Sequence, residues 1–395
     1  MASTVSNHPV ASKFPAATNG ISFGHFQDVL RPLIKRCGLP KSADDWTCSD
    51  YPALFFEQVD FLDASVILAM YPHHLMDAMG YATFLKSWVA VLHGRETDVL
   101  PLVSFSYSPM DALATRTPAE RYAWQSHVVR WPGLLWLTIR AFWEAFWGKE
   151  ERVICVPGRV LDAMRDEALK ELGVSDSSAS RPAGHDSRLK SEVDKESAQC
   201  KNPRFLSESD VLVAWFTRIA ASAARQLTTT QLVLHYAFDI RSFCVSSDAA
   251  SLMNSVCGAY TILPIAKVIS RPVSYLAAQL RLALDRERTL EQIEAQCAWA
   301  KTAGLLAPVG SANMFHCIVS NWNKGGYFHL DFSPAVVDDP RELDSSPCER
   351  LDPEVILGKD SQGNWWMQWV LPAGCWPEIE RRLLAINNSL NSFVN

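Results

Sequence analysis

The sequence predicts an α/β (α+β) fold in which strands and amphipathic helices pack as mixed sheets with flanking helices. Short apolar runs such as ASVILAMY (residues 64–71) have the length of strands, and segments such as GYATFLKSWVAVLHG (80–94) repeat apolar residues at helical spacing. The two kinds of segment alternate along most of the chain. With 395 residues, of which 48% are apolar, the chain is long enough for two domains.

Strand and helix patterns follow one another in a definite order. The run at 64–71 predicts a buried strand that ends at Pro72, and the next helix places Tyr81, Phe84, Leu85, Trp88 and Leu92 on one face. Further helices are predicted over residues 23–38, 207–227, 272–301 and 376–393. Further strands are predicted over residues 230–241, 313–322 and 363–374.

The segment 133–148, GLLWLTIRAFWEAFWG, combines aliphatic and aromatic residues at helical spacing. It contains Arg140 and Glu144 and falls short of the ~20 apolar residues that a membrane span needs. Its tryptophans and the preceding Trp131 could form a membrane-facing surface, but a core-facing stripe is the simpler prediction. These tryptophans are Trp131, Trp136, Trp143 and Trp147.

Residues 175–204 break the alternation because they are polar, rich in serine and charged. Such a composition buries too little apolar surface to fold alone, which predicts a crossover linker. The predicted organisation is therefore an N-terminal domain over residues 1–174, the linker over 175–204 and a C-terminal domain over 205–395.

Charge and cysteine usage exclude several classes of function. A formal net charge of −6 leaves no global positive field to attract a nucleic-acid backbone, so no nucleic-acid partner is expected. The ten cysteines form no C-x-x-C pair, which argues against a zinc or redox site and favours reduced thiols. The first twenty residues lack the pattern of a secretory signal, and we expect a cytoplasmic protein without a membrane span.

Two adjacent histidines, His73 and His74, follow the strand predicted at 64–71, and Asp77 lies four residues beyond the first. A neutral histidine at the exposed end of a strand can take a proton from an alcohol, and the acid can fix the turn. On this spacing alone, a surface histidine beside a helix-capping aspartate is the commoner arrangement. A zinc site has still less support, because adjacent side chains diverge on an extended chain and no third ligand is indicated. No metal is predicted.

The motif HHLMDAMG (73–80) resembles the H-x-x-x-D-x-x-G signature of the BAHD-type CoA-dependent acyltransferases, in particular the fungal branch that modifies secondary metabolites. Other segments resemble family motifs in the same order from about residue 50 to the C-terminus. They are DYPAL (50–54), SESDVLVAW (207–215), FDIR (238–241), MN (253–254), SNW (320–322) and DFS (331–333). The ordered set is far more specific than any one member.

The resemblance implies two similar domains of the chloramphenicol acetyltransferase type with an active-site tunnel between them. It implies that His73 acts as the catalytic base in mid-tunnel, and that acetyl-CoA or another acyl-CoA is a co-substrate with no bound cofactor. The other partner is a small-molecule alcohol acceptor, and the two-domain relatives suggest a monomer. No residue is assigned to CoA binding.

The resemblance also assigns supporting roles. Asp77 holds the loop that aims His73, and Arg241 is its ion-pair partner. Ser320 and Trp322 are candidates for binding the oxyanion or substrate, whereas Asp331 and Phe332 support the fold. His74 is expected to pack or bind water, with a contribution to the acceptor pocket as the alternative.

Two departures from the family pattern stand out. His73 lies after only 72 residues, which predicts a shortened N-terminal domain, and DFSPA replaces the glycine-rich element D-F-G-W-G. The predicted function is an acyltransferase that acylates a hydroxyl of a terpenoid, polyketide or alkaloid in a ternary complex. The alternative is a catalytically altered protein of the same fold, either a binding protein or a cyclase that acts on a metabolite without acyl transfer.

Overall fold

The fold is described by a computed structural model over residues 3–25, 29, 32–33, 43–174, 203–224, 230–303, 308–311, 313–335 and 354–392. Within these ranges the strands form two sheets. The strands are β1 Ser22–Gly24, β2 Phe55–Asp60, β3 Ser65–Met70, β4 Lys149–Val156, β5 Gln231–Asp239, β6 Val256–Pro264, β7 Phe315–Asn321, β8 Glu354–Lys359 and β9 Trp365–Pro372. The predicted mixture of strands and flanking helices is confirmed.

Helices lie between most of these strands. They are α1 Ala43–Thr47, α2 Ala78–Leu92, α3 Pro109–Leu113, α4 Gly133–Trp147, α5 Gly158–Leu172, α6 Glu208–Ala223, α7 Arg241–Cys244, α8 Ile265–Ser270, α9 Val273–Glu287, α10 Leu290–Ala303 and α11 Trp376–Ser392. The segment predicted over 272–301 forms two helices, α9 and α10, which meet at residues 288–289. Most of the helix predicted over 23–38 lies outside the described residues.

The larger sheet has seven strands in the order β1-β4-β9-β8-β7-β5-β6. β5 runs parallel to β7 and antiparallel to β6. Side chains alternate between the two faces of a strand, so Leu232, Leu234 and Tyr236 of β5 share one face. This face packs against α6 and α9 in the main hydrophobic core. On the opposite face, Val233 of β5 packs in a second cluster with α10, whereas Ile318 of β7 is exposed, so this face is available for a site only near β7.

Helix α6 begins at a capping box, which explains the motif SESDVLVAW. Ser207 Oγ accepts the Asp210 N–H at 3.2 Å, and Asp210 Oδ2 accepts the Ser207 N–H at 2.7 Å. The buried carboxylate of Asp210 also accepts from Arg281 of α9. The motif therefore fixes the start of α6 and joins it to α9.

The smaller sheet consists of β2 and β3, paired antiparallel from Phe55–Met70 to Asp60–Ser65. The strand predicted at 64–71 is confirmed as β3, but its predicted burial is wrong. None of its six residues is buried, and Ile67 is 44% exposed. A two-stranded sheet covers its strands less completely than the multi-stranded sheet that the apolar run suggested.

The core-facing prediction for the tryptophan stripe is also wrong for the two members with described side chains. Trp131 is 71% and Trp136 is 53% exposed, because helical spacing alone does not say which face a neighbouring element covers. The side chains of Trp143 and Trp147 lie outside the described set. Within the described part of the chain, no helix is long and apolar enough to cross a membrane.

The first part of the chain contributes to the larger sheet as well as the smaller one. β1 pairs with β4, and β4 pairs with β9 from Lys149–Pro372 to Val156–Trp365. The division into domains over 1–174 and 205–395 stays a prediction. Residues 175–202 of the predicted linker lie outside the described ranges.

Candidate active site

Asp77 lies at the N-terminus of α2 and is 4% exposed. Its Oδ1 accepts the Gly80 N–H at 2.8 Å as an N-cap, and its Oδ2 accepts the Ser255 N–H at 2.8 Å. The carboxylate thus fixes both the first turn of α2 and the backbone just before β6. It is occupied by structural bonds, which leaves no role in taking a proton from substrate.

Arg241, at the end of β5, forms an ion pair with Asp77 through Nη2 and Oδ1 at 2.7 Å. Its Nη1 contacts Asp239 Oδ1 at 2.5 Å, and its Nε and Nη2 donate to the carbonyls of Ser251 and Met253. Burial alone would lower the pKa of Arg241, but the two carboxylates together raise it above its usual value. The guanidinium therefore remains charged and ties α2 to β5 and the 251–255 loop.

His73 lies in the turn between β3 and α2 and its side chain is exposed, as is that of His74. Asn254 Nδ2 donates to the His73 carbonyl at 2.9 Å and to the His74 carbonyl at 3.3 Å. The same 251–255 loop that contacts Asp77 therefore also holds the backbone of the histidine pair. Neither imidazole has a hydrogen-bond partner among the described residues, so each is open to an incoming ligand.

The surroundings of Gly80 explain why the H-x-x-x-D-x-x-G pattern ends in glycine. A Cβ at this position would lie 2.0 Å from the Leu252 carbonyl oxygen, which is backbone. Only glycine lets the first turn of α2 approach the 251–255 loop this closely. The motif thus combines an exposed histidine, a buried cap and a close contact.

Ser320 and Trp322 lie at the end of β7. The Trp322 indole N–H donates to Ser320 Oγ at 3.0 Å, and the Trp322 side chain is buried in a cluster with Ala78, Ala82 and Leu85 of α2. Since the Ser320 oxygen accepts from Trp322, its own proton is free to be donated elsewhere. Of the two candidates, Ser320 can therefore donate to a ligand, and Trp322 orients it.

Asp331 and Phe332 lie at the other end of α2. The Phe332 ring makes an edge contact with Trp88 at 5.4 Å between centroids, and Asp331 Oδ2 lies 3.3 Å from His93 Nε2. The Ser333 hydroxyl, and then the Ser333 N–H that Asp331 Oδ1 accepts at 2.9 Å, lower the pKa of Asp331. The two residues hold the chain after β7 against the C-terminal end of α2.

Sequence reasoning missed two contacts that complete the site. The Ser255 N–H binds Asp77, and the Tyr327 hydroxyl donates to the Ala78 carbonyl in the first turn of α2. A backbone donor leaves no signal in a sequence. Tyr327 has no motif spacing to Ala78, because the two residues are 249 positions apart in the chain.

The predicted tunnel stays a prediction. A cavity of about 580 Å³ lies between the end of β4 and the turn that joins β8 to β9. It is lined by Asn19, Arg159, Lys359 and their neighbours and includes none of the seven predicted site residues. No group of three or more His, Cys, Asp or Glu side chains within the described ranges is arranged to hold a metal ion.

Comparison with known proteins gives extended matches to fungal enzymes. The chain is 43% identical over 396 residues to "O-acyltransferase ausP" of Aspergillus calidoustus, which covers 98% of this chain and 77% of that protein. It is 36% identical over 410 residues to "O-acyltransferase pboC" of Aspergillus ustus, covering 97% of this chain and 81% of that protein. The chain belongs to the BAHD-type acyltransferases of fungal secondary metabolism.

Solved structures share the fold of this acyltransferase. The structure of F. graminearum TRI101 complexed with coenzyme A and T-2 mycotoxin has a TM-score of 0.58 at 15% identity, over 85% of this chain and 67% of that one. A more distant relative, 28% identical over 96% of the chain, is named "Transcriptional regulator calD" in Penicillium decumbens. No model of a protein family matches the chain.

Proposed function

We propose that this acyltransferase transfers an acetyl group from acetyl-CoA to a hydroxyl group of a secondary metabolite, with His73 as the general base. The observation that carries the proposal is the contrast between two neighbours. The imidazole of His73 is exposed and unbonded within the described residues, whereas Asp77 is buried and bonded at both oxygens. This division of roles suits a reactive base on a fixed support.

The reaction begins when His73 removes the proton of the acceptor hydroxyl as its oxygen attacks the thioester carbonyl. The C=O π electrons move to the carbonyl oxygen, and a tetrahedral oxyanion forms. Collapse of this intermediate breaks the C–S bond. The departing CoA sulfur takes the proton from His73, which returns the base to its neutral form.

Ser320 is the proposed oxyanion donor. Its oxygen accepts from Trp322, so the hydroxyl proton is available to a ligand. A preorganised donor stabilises the oxyanion more than the ground-state carbonyl and so lowers the barrier. Asp77 and Arg241 act by position, because their ion pair fixes the turn that carries His73.

The proposal is tested with purified protein, acetyl-CoA and an extract of fungal secondary metabolites. We expect free thiol to appear only when the extract is present, together with a metabolite whose mass has increased by one acetyl group. Calorimetry with CoA alone measures the binding of CoA separately from turnover. Thiol release that does not depend on the extract, or an absence of both turnover and CoA binding, would contradict the proposal.

A second candidate is a binding protein of the same fold, or a cyclase that uses His73 without acyl transfer. The observation in its favour is the relative named as a transcriptional regulator, which matches over 96% of the chain. This candidate predicts metabolite binding or conversion with no affinity for CoA. The CoA calorimetry therefore separates it from acyl transfer.

A further inference from the structure

The face of the larger sheet opposite α6 and α9 carries a second set of polar groups beside Ser320. In the register of β7, β5 and β6, Ser320 lies beside Ala237, and Ala237 lies opposite Gly258. These three residues form one row of small side chains on the same face of the sheet. Neighbouring strands are about 4.8 Å apart, so Gly258 lies about 10 Å across the sheet from Ser320.

The next row on this face carries larger groups. Ile318 of β7 lies beside His235 of β5, and His235 lies opposite Tyr260 of β6. The rings of His235 and Tyr260 stack with centroids 4.4 Å apart and an interplanar angle of 18°. Ile318 is 44% exposed, although it lies on a central strand. The face is thus open at Ile318, beside an imidazole and a phenol.

Two polar atoms converge above Gly258. A Cβ on this residue would lie 2.2 Å from His235 Nε2 and 3.1 Å from the Tyr260 hydroxyl oxygen. Glycine therefore admits both groups to the same point. No hydrogen bond joins these two atoms in the described structure, so neither satisfies the other.

A hydrogen-bond chain leads from Gly258 through Gln296 to the Tyr122 hydroxyl, beside Tyr260. The Gly258 N–H donates to Gln296 Oε1 at 3.2 Å, which orients the amide so that Nε2 donates to the Tyr122 hydroxyl at 3.2 Å. The Tyr122 hydroxyl lies beside Tyr260 and can donate its own proton to the Tyr260 oxygen. With Tyr122 as the donor, the proton of Tyr260 is left for a ligand.

Burial keeps this cluster uncharged. Tyr260 is 5% exposed, and burial raises its pKa well above the usual range. Burial, together with the nearby His316, lowers the pKa of His235 to about 4. At neutral pH the face thus presents a phenol proton and a neutral imidazole, which bind an uncharged oxygen and do not attract an anion.

We infer that Tyr260 and His235 form a specificity site that binds a second oxygen of the acceptor, about 10 Å from the hydroxyl that is acylated. The inference rests on the proposed function, because it places the reacting hydroxyl at Ser320. The acceptor it describes is an apolar skeleton that lies on Ile318 and Ala237, with a ketone or hydroxyl oxygen at the end that reaches the two polar atoms above Gly258. A rigid fused-ring alcohol has this length and chemistry.

The test uses two steroid alcohols as rigid probes. Epiandrosterone has a ketone at the end of its fused rings opposite the hydroxyl, and androstanol is the same alcohol without the ketone. Binding is measured by calorimetry in the absence of acetyl-CoA, so failure of acyl transfer does not affect the result. We expect the wild-type protein to bind epiandrosterone about tenfold more tightly than androstanol, since tenfold corresponds to about 1.4 kcal/mol, which one neutral hydrogen bond can contribute.

Tyr260→Phe removes only the hydroxyl and should abolish the preference, weakening epiandrosterone about tenfold and leaving androstanol within twofold. Tyr275→Phe, in α9 against the opposite side of the sheet, is the matched control and should keep the preference. Comparing the two alcohols on the wild-type protein tests the inference without any variant. Equal affinity for the two alcohols in the wild-type protein, no binding of epiandrosterone, or an unchanged preference in Tyr260→Phe would overturn the inference.

Discussion

Arg241 Nη2 lies 2.7 Å from Asp77 Oδ1, although the two residues are 164 positions apart in the chain. The ion pair joins the turn that carries His73 to the end of β5 in the larger sheet. It is 5% exposed on the aspartate side and 13% on the arginine side, so solvent screens it little. The position of the proposed base therefore depends on a buried contact between the start of α2 and the first residue of α7.

Removing one partner of this buried pair should be costly. We expect Arg241→Gln to lower the free energy of unfolding by about 3–5 kcal/mol, because it leaves the Asp77 carboxylate buried without its counter-ion. Chemical denaturation measures the loss. The exposed pair Arg381–Glu378, at 2.8 Å, is the matched control, and Arg381→Gln should cost less than about 1 kcal/mol. Equal costs for the two variants would argue against a special role for the buried pair.

Gly80→Ala gives a test in which two effects have opposite sign. Helix propensity alone predicts that alanine stabilises α2 by about 1 kcal/mol. The 2.0 Å approach to the Leu252 carbonyl predicts instead that Gly80→Ala destabilises the protein and displaces the 251–255 loop. Thermal unfolding decides between them. Gly374→Ala, where a Cβ would meet nothing within 4 Å, is the control and should leave the unfolding temperature nearly unchanged.

The buried carboxyl of Glu354 should make the stability of the protein depend on pH. Burial raises the pKa of this carboxyl to about 8 from a usual value near 4.5. Below pH 4.5 it is protonated in both folded and unfolded states. Between about pH 4.5 and 8 the unfolded chain releases the proton while the folded protein retains it, so Glu354 lowers the free energy of unfolding as pH rises.

Glu354→Gln removes this titration. Denaturation curves at several pH values should show the variant gaining stability relative to the wild type from pH 4.5 to 8. The relative gain should level off above that range, where Glu354 ionises in the folded protein as well. A constant difference between the two proteins across this window would show that the folded carboxyl titrates as it does in the unfolded chain.

Ser320→Ala should reduce kcat by about 10²–10³ if Ser320 donates to the oxyanion, because this interaction is made in the transition state. The KM for acetyl-CoA should change little. Ser222→Ala in α6 removes a hydroxyl that bonds to the Arg218 carbonyl on the helical side of the sheet, and it should leave kcat unchanged. A KM effect without a kcat effect would assign Ser320 to substrate binding.

Much of this site could be predicted from the sequence because its parts lie in short motifs. In the structure His73 lies in a turn and Asp77 is the N-cap of the next helix. The resemblance named Arg241 as the partner of Asp77, and Arg241 Nη2 lies 2.7 Å from Asp77 Oδ1. Local patterns also located β3, α2 and α6. These features depend on neighbouring residues, which a sequence displays directly.

The remaining features depend on contacts between distant segments. The exposure of β3 and of Trp136 depends on which elements cover them, and periodicity does not contain this information. The convergence of His235 and Tyr260 above Gly258 depends on the antiparallel register of β5 and β6 and on the side chain of Gln296 from α10. No single motif includes these residues.

The most direct test of the central claim compares His73→Ala with His74→Ala in the thiol-release assay. Both histidines are exposed neighbours in the same turn, so loss of a surface imidazole affects folding similarly in the two variants. We predict that His73→Ala loses acceptor-dependent thiol release by at least about 10²-fold, whereas His74→Ala retains most of it. Full activity in His73→Ala, or equal loss in both variants, would contradict the assignment of His73 as the base.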